Sequence, residues 1–217
     1  MKILGRILLF VAIMGMILAI GGFSDTMLLF KGDTVNLTDP LSRFDDRALV
    51  QGEIDFVYGP FCTLETSTTR YGITTSTHET DFFIVGNVES GQGFAVLSTG
   101  NTEMRKTLTD AAEKWVDWLT TEEDIPEPEI NISFRGKLWE QYDDSQYDTY
   151  YKDAKNDLEN IGIGADEYAE FRIIEGEVSV VSLFLFFGGI GLILLSIVVV
   201  VIMLVQSRRR AKREELW

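Results

Sequence analysis

The chain has 217 residues, 46% of them hydrophobic and 24% charged, with a formal net charge of −15 and a pI near 4.4. This acidity argues against general nucleic-acid binding, which needs Lys and Arg to neutralise phosphates. The single Cys excludes an intrachain disulfide framework and a Cys-cluster zinc site, and the single His excludes most His-based metal sites. Yet mean hydropathy is slightly positive, at +0.08, so apolar and acidic residues must be segregated along the chain.

The first element is apolar. Ile7 to Ser24 contains no charged residue and approaches the roughly 20 residues that a membrane-spanning helix needs. Lys2 and Arg6 before it also fit a signal peptide, with Ala19-Ile20-Gly21 as a small-residue cleavage site. The length of the run, and Met27-Leu28-Leu29-Phe30 just beyond it, favour an uncleaved span. Gly15 and Ala19 are spaced for close helix contact. They suit intramolecular pairing with Gly188, Gly189 and Gly191 of the later apolar run, or a homo-oligomer.

Residues 25 to 48 read as a polar connector with turn chemistry at Asp33, Asp39-Pro40, Asp45 and Asp46. From Ala48 the texture changes. Val50, Ile54, Phe56, Tyr58 and Leu64 fall on even positions, as in a half-buried strand. Gly59-Pro60 predicts a bend or bulge there. A Thr/Ser-rich stretch, Thr66 to Thr77, follows with a turn at Arg70 to Gly72. Asp81 to Val85 is a strong strand, Asn87 to Gly93 a hairpin loop, and Phe94 to Leu97 the return. Together these predict an antiparallel meander of about four strands.

The second half alternates. Met104, Leu108, Ala111, Ala112, Trp115, Trp118 and Leu119 form one face of an amphipathic helix, with Asn101 or Thr102 as N-cap. An acidic, Pro-containing linker, Glu122 to Pro128, ends it. Ile130 to Trp139 reads as a strand. Tyr147, Tyr150, Tyr151, Ala154, Leu158 and Ile161 mark a second amphipathic helix, closed by Gly162 and Gly164. Tyr168 to Ile174 is a last strand.

Val178 to Ser207 is again free of charge, a run of 30 residues. No soluble core helix needs that length, so it is read as transmembrane. Arg208, Arg209, Arg210, Lys212 and Arg213 follow it. Basic flanks mark the cytoplasmic side, so both termini are expected there and the intervening domain outside. That region, residues 24 to 178, holds 12 basic and 32 acidic residues, a net charge of −20.

Candidate sites are few. Cys62 and His78 lie roughly opposite each other if the chain turns at Arg70 to Tyr71. A thiolate beside an imidazole is the minimum for cysteine nucleophilic catalysis. The plainer reading is a buried Cys and a His on a polar strand face. Asp45-Asp46 and Asp143-Asp144 lack the ligand spacing of a calcium loop. Trp115, Trp118, Tyr147, Tyr150 and Tyr151 offer either a binding surface or, at helical spacing, core. No catalytic residue, metal site or cofactor is expected.

Val50-Gln51-Gly52-Glu53-Ile54, the strand Asp81-Phe82-Phe83-Ile84-Val85 and the basic end Arg208 to Arg213 resemble features of small Gram-positive bacterial membrane proteins of unknown function. These carry a span at each end and an acidic extracytoplasmic α+β domain. The resemblance covers most of the chain and transfers no site residues.

The resulting expectation is an α+β fold: a mainly antiparallel sheet with two amphipathic helices on one face, flanked by two transmembrane helices. The segments are 1–24 (first span), 25–178 (domain), 179–207 (second span) and 208–217 (basic tail). The expected role is a membrane-anchored interaction or sensing module without enzymatic activity. Its partners would be the lipid bilayer and a protein of the membrane or envelope. An envelope hydrolase or thiol enzyme using Cys62 and His78, and a structural subunit of a membrane complex, are the alternatives.

Overall fold

The computed structural model describes residues 2–31, 34–40, 44, 48–70, 73–87, 93–121, 126–163, 168–176 and 180–214. The chain divides into two compact units, residues 1–31 with 178–217, and residues 32–177.

The first unit is a helix pair. Helix α1 spans Lys2–Lys31 and α4 spans Val180–Glu214. Gly5–Phe30 and Val180–Ser207 are long and apolar enough to cross a membrane. The first helix runs past the expected boundary at residue 24. The polar break at Asp25 is short, Ser182 Oγ donates to its carboxylate at 2.9 Å, and Met27 to Phe30 resume the apolar run. Contact between the helices is at the glycines. A Cβ on Gly15 would stand 2.7 Å from the Gly189 carbonyl oxygen, and one on Gly22 would stand 2.7 Å from the Phe186 nitrogen. Between apolar helices, such close backbone approach replaces the hydrophobic drive that lipid cannot supply. Gly15 and Ala19 are thus used for intramolecular pairing.

The second unit is an α+β domain with one seven-stranded sheet. In chain order come β1 (Thr34–Asn36), β2 (Leu49–Ile54), β3 (Phe56–Arg70), β4 (Ile73–Gly86), β5 (Phe94–Thr99), α2 (Thr102–Thr120), β6 (Ile132–Glu140), α3 (Ser145–Asn160) and β7 (Tyr168–Glu175). The order across the sheet is β1-β2-β6-β7-β5-β4-β3. The β1/β2 and β5/β7 pairs are parallel and the others antiparallel.

The meander is real for β3-β4-β5 but excludes β2, which pairs with β6 instead. Only Asp55 separates β2 from β3, although four strands lie between them in the sheet. Flat strands about 4.8 Å apart would put them beyond the reach of one residue, so the sheet is rolled at that end. Asp55 N extends the β3/β4 ladder by donating to the Gly86 carbonyl at 3.3 Å, and Asn87 Nδ2 donates to the Glu53 carbonyl of β2 at 3.5 Å. The region read as connector contributes β1, which buries Val35.

The rolled sheet carries both amphipathic helices, in keeping with the expected α+β fold, and is packed on both of its faces. Leu108, Ala111 and Ala112 of α2 pack with Phe83, Val85, Ala95, Leu97, Leu138 and Ile173. Ala154 and Leu158 of α3 pack with Ile84, and Tyr147 with Phe82 and Val96. Alternate strand residues point to opposite faces, so Leu108, Ala111 and Ala112 pack on one face and α3 on the other, while Trp115 of α2 joins Phe56, Ile84, Ala154 and Leu158. The cause is visible in β5, where every residue from Phe94 to Thr99 is buried. One helix cannot cover such a strand on both sides.

The caps follow the expected chemistry. Asn101 Oδ1 accepts from Glu103 N and Met104 N, and Asp144 Oδ1 from Gln146 N and Tyr147 N, each satisfying two orphan donors of a helix start. At the end of α3, Gly162 takes φ +77°. Ile163 N reaches the Leu158 carbonyl at 3.0 Å and Gly162 N that of Glu159 at 3.1 Å, the paired bonds of a Schellman termination. Gly164 lies outside the described residues. At Gly59-Pro60 the β3/β4 register shifts between Tyr58 and Cys62, the bulge expected there. The turn at Tyr71-Gly72, the loop 88–92 and the linker residues 122–125 lie outside the described residues.

Candidate interaction surface

Cys62 and His78 are not brought together. Cys62 stands opposite Phe82, while His78 stands opposite Thr66, four positions further along the ribbon. At about 3.3 Å per residue the two are roughly 13 Å apart along the strands. The register that separates them is unbroken from Cys62/Phe82 to Thr68/Ser76 and is set from the turn side of the ribbon, where it shifts between Thr68 and Thr69. Cys62 is 8% exposed, and burial pushes its thiol pKa up, aided by the charges of Asp144 and Asp81. A nucleophilic Cys needs the reverse.

Asp144 is committed to capping α3, and Asp45-Asp46 lies outside the described residues. Among the described residues no three His, Cys, Asp or Glu side chains gather. The aromatic candidates are mostly core. Trp115 donates from its indole to the Asp55 carbonyl at 2.9 Å and stands edge-on to Phe56, ring centroids 5.0 Å apart. Tyr147 is buried and donates to Gln141 Oε1 at 2.8 Å. Tyr150 alone of the five is a large exposed hydrophobic.

The structure singles out a surface that the sequence reading did not anticipate. Helix α3 covers the outer face of the sheet over β3, β4 and β5. Among the described residues the same face of β2 and β6 has no helix on it, and α3 reaches β7 at Tyr168, whose ring stands 6.3 Å from that of Tyr151. Strand alternation assigns its side chains. Phe134 and Leu138 of β6 and Ile173 of β7 point to the opposite core, so Ser133, Arg135, Lys137 and Trp139, with Glu170, Arg172 and Ile174, point outward. From β2, Gln51 and Glu53 do so too, because Val50 and Ile54 point inward. In register, Gln51 faces Arg135, and Trp139 faces Arg172.

Two exposed aromatic groups belong to this half-face, Trp139 near the end of β6 and Tyr142 just beyond it, where Tyr142 meets Phe82 and Tyr147 of the covered half. Trp139 is 42% exposed and Tyr142 is 37% exposed. Arg172 lies over two rings, its guanidinium carbon 5.3 Å from the Tyr142 centroid and 5.7 Å from that of Phe82. Cation–π contact of this kind favours the charged form. Burial acts against it and lowers the Arg172 pKa, with no carboxylate among the groups that raise it. Its Nε is buried without a hydrogen-bond partner. On the flank of α3, Lys155 Nζ stands 4.4 Å from the Tyr151 ring and 5.2 Å from that of Tyr168. Cations and rings thus line the border between the covered and uncovered halves.

Spacing along β6 could have revealed this face. Arg135, Lys137 and Trp139 alternate with Phe134, Gly136 and Leu138. What the sequence did not show was that no second helix returns to cover them.

A family model described as a domain of unknown function (DUF8577) matches residues 1–206. No curated protein and no solved structure matches the chain.

Proposed function

Since the chain belongs to the DUF8577 family, whose description assigns no activity, we propose a function from its surface: a membrane-anchored, non-enzymatic interaction or sensing module acting through protein contact. The basic flanks of the two apolar helices favour cytoplasmic ends and hence an extracytoplasmic acidic domain. The observation that carries the reading is the uncovered half-face with its exposed Trp139. A domain completes its layers when apolar and aromatic groups are left on one of them, and here the completing layer comes from another molecule.

A photo-crosslinking residue at position 139, compared with one at Tyr150 on the outer side of α3, tests this. Adducts specific to position 139 are expected in intact cells. Equal labelling from both positions, or none from either, would sink the reading. For the topology, a cysteine placed at Tyr150 should react with a membrane-impermeant maleimide on intact cells.

A further inference from the structure

We infer that the uncovered half-face of β2 and β6, with the adjoining end of β7, binds an acidic polypeptide segment of its partner, an inference that rests on the interaction reading above. The region between the apolar runs carries a net charge of −20, yet this face reverses the sign locally. Arg135, Lys137 and Arg172 stand on it and Lys155 borders it, against Glu53 and Glu170, while Glu140 and Glu175 at the ends of β6 and β7 alternate to the other side. Among the described residues Arg172 has the rings of Phe82 and Tyr142 beside its charge and no carboxylate raising its pKa. A half-buried cation with no counter-charge among the described residues of so acidic a domain points to an anion supplied from outside.

Arg135 and Lys137 already take part in interactions within the domain. Exchange with a partner's carboxylates remains cheap, because exposed ion pairs contribute only about 0–1 kcal/mol. The rings of Trp139 and Tyr142 add apolar contact beside these charges, the pairing of aromatic anchor and arginine found where partners bind tightly.

Geometry favours a narrow segment over an anionic membrane surface. Screening confines each charge to a Debye length of about 8 Å at physiological salt. A single chain laid along β6 meets the basic strip and little else. An extended anionic bilayer would also meet the acidic remainder of the domain and be repelled.

The test uses the full-length chain in neutral detergent and a labelled alternating Glu-Asp peptide of about 15 residues, followed by anisotropy. Binding is expected, weakening about tenfold or more between about 50 mM and about 500 mM salt. The double variant Arg135→Gln/Lys137→Gln should lose about fivefold or more in affinity, with its circular dichroism unchanged. Lys114→Gln, on the exposed side of α2, should bind as the parent does. Equal losses in the double variant and in Lys114→Gln overturn the inference. So does salt-insensitive binding, or capture by phosphatidylglycerol vesicles in preference to the peptide. Absence of peptide binding while position 139 still crosslinks selectively defeats this inference and leaves the interaction reading intact. Failure of both removes both.

Discussion

Arg105 on α2 donates through Nε to the Asp81 carboxylate on β4 at 2.6 Å, and through Nη2 to Glu79 at 2.9 Å. Asp81 also accepts from Thr63 Oγ1 at 2.8 Å. The two carboxylates differ in exposure, with Asp81 at 7% and Glu79 at 51% of side-chain area. Removing Arg105 strands a buried charge, which is costly, whereas the Glu79 contact is screened by water. Arg105→Met is therefore expected to destabilise the domain by about 2–3 kcal/mol, and Glu79→Gln by about 0.5 kcal/mol or less. Urea unfolding followed by tryptophan fluorescence measures both. Equal effects would refute this partition.

Alkali should loosen the α3 side of the domain. Burial, then the hydrogen bond to Asp157 and its charge, pushes the Tyr58 hydroxyl up to about 12. Tyr147 and Tyr151 are also raised, with burial the leading cause. The folded state holds these protons more tightly than the unfolded chain, whose tyrosines titrate near 10. The linked stability is complete below about pH 10 and falls as the pH rises towards about 12. Tyr58→Phe should make that decline shallower. An ultraviolet titration in which all tyrosines ionise together near pH 10 would contradict it.

Cys62 should behave as a small core side chain. In the folded protein at neutral pH its raised pKa and burial predict slow alkylation by iodoacetamide, and fast alkylation after unfolding. Cys62→Ala is expected to cost about 1 kcal/mol and to leave partner crosslinking from position 139 unchanged. Rapid alkylation of the native thiol would revive the thiol-enzyme alternative.

The helix pair depends on missing side chains. Gly189→Leu would drive a side chain into the backbone of Ala19, whose nitrogen already lies 2.5 Å from a Cβ at that position. The expected loss is about 2 kcal/mol or more of pairing stability. Gly5 and Ser207 line one cavity at the same end of the pair. Dyes attached to cysteines at these two positions, in a Cys62→Ala background, should therefore transfer energy efficiently. In Gly189→Leu the transfer should fall, while Gly188→Leu, whose Cβ meets nothing within 4 Å, should keep it.

Local signals were legible where local physics decides. Asn101, the α3 stripe from Tyr147 to Leu158, Gly162 and the Gly59-Pro60 bulge all declared themselves through caps, periodicity or turn chemistry. Packing on both faces of the sheet was written in Asp81-Phe82-Phe83-Ile84-Val85. An unbroken apolar run means burial on both faces, whereas a sheet dressed on one face alternates. Reading that run as a strong strand used its strength and ignored its lack of period. The pairing of β2 with β6 had no local signal, because it joins Gln51 to Arg135 far apart along the chain. The uncovered half-face was hidden for the same reason. A bare face is defined by where α3 does not go, and no residue in the sequence encodes that directly.

The place of β7 in the sheet sets the order in which a nascent chain can mature. It follows the other six described strands in sequence, yet it stands between β6 and β5, bonded to Trp139 and Leu138 on one side and to Val96 and Leu97 on the other. Until it arrives, the ribosome has delivered a three-stranded piece, β1-β2-β6, and a separate meander, β3-β4-β5, with no strand ladder between them. Pairing at such long sequence separation is slow because chain closure must precede any reward. The last segment before the second apolar helix therefore completes the sheet, so release of that helix from the ribosome and closure of the domain become nearly simultaneous events in biosynthesis.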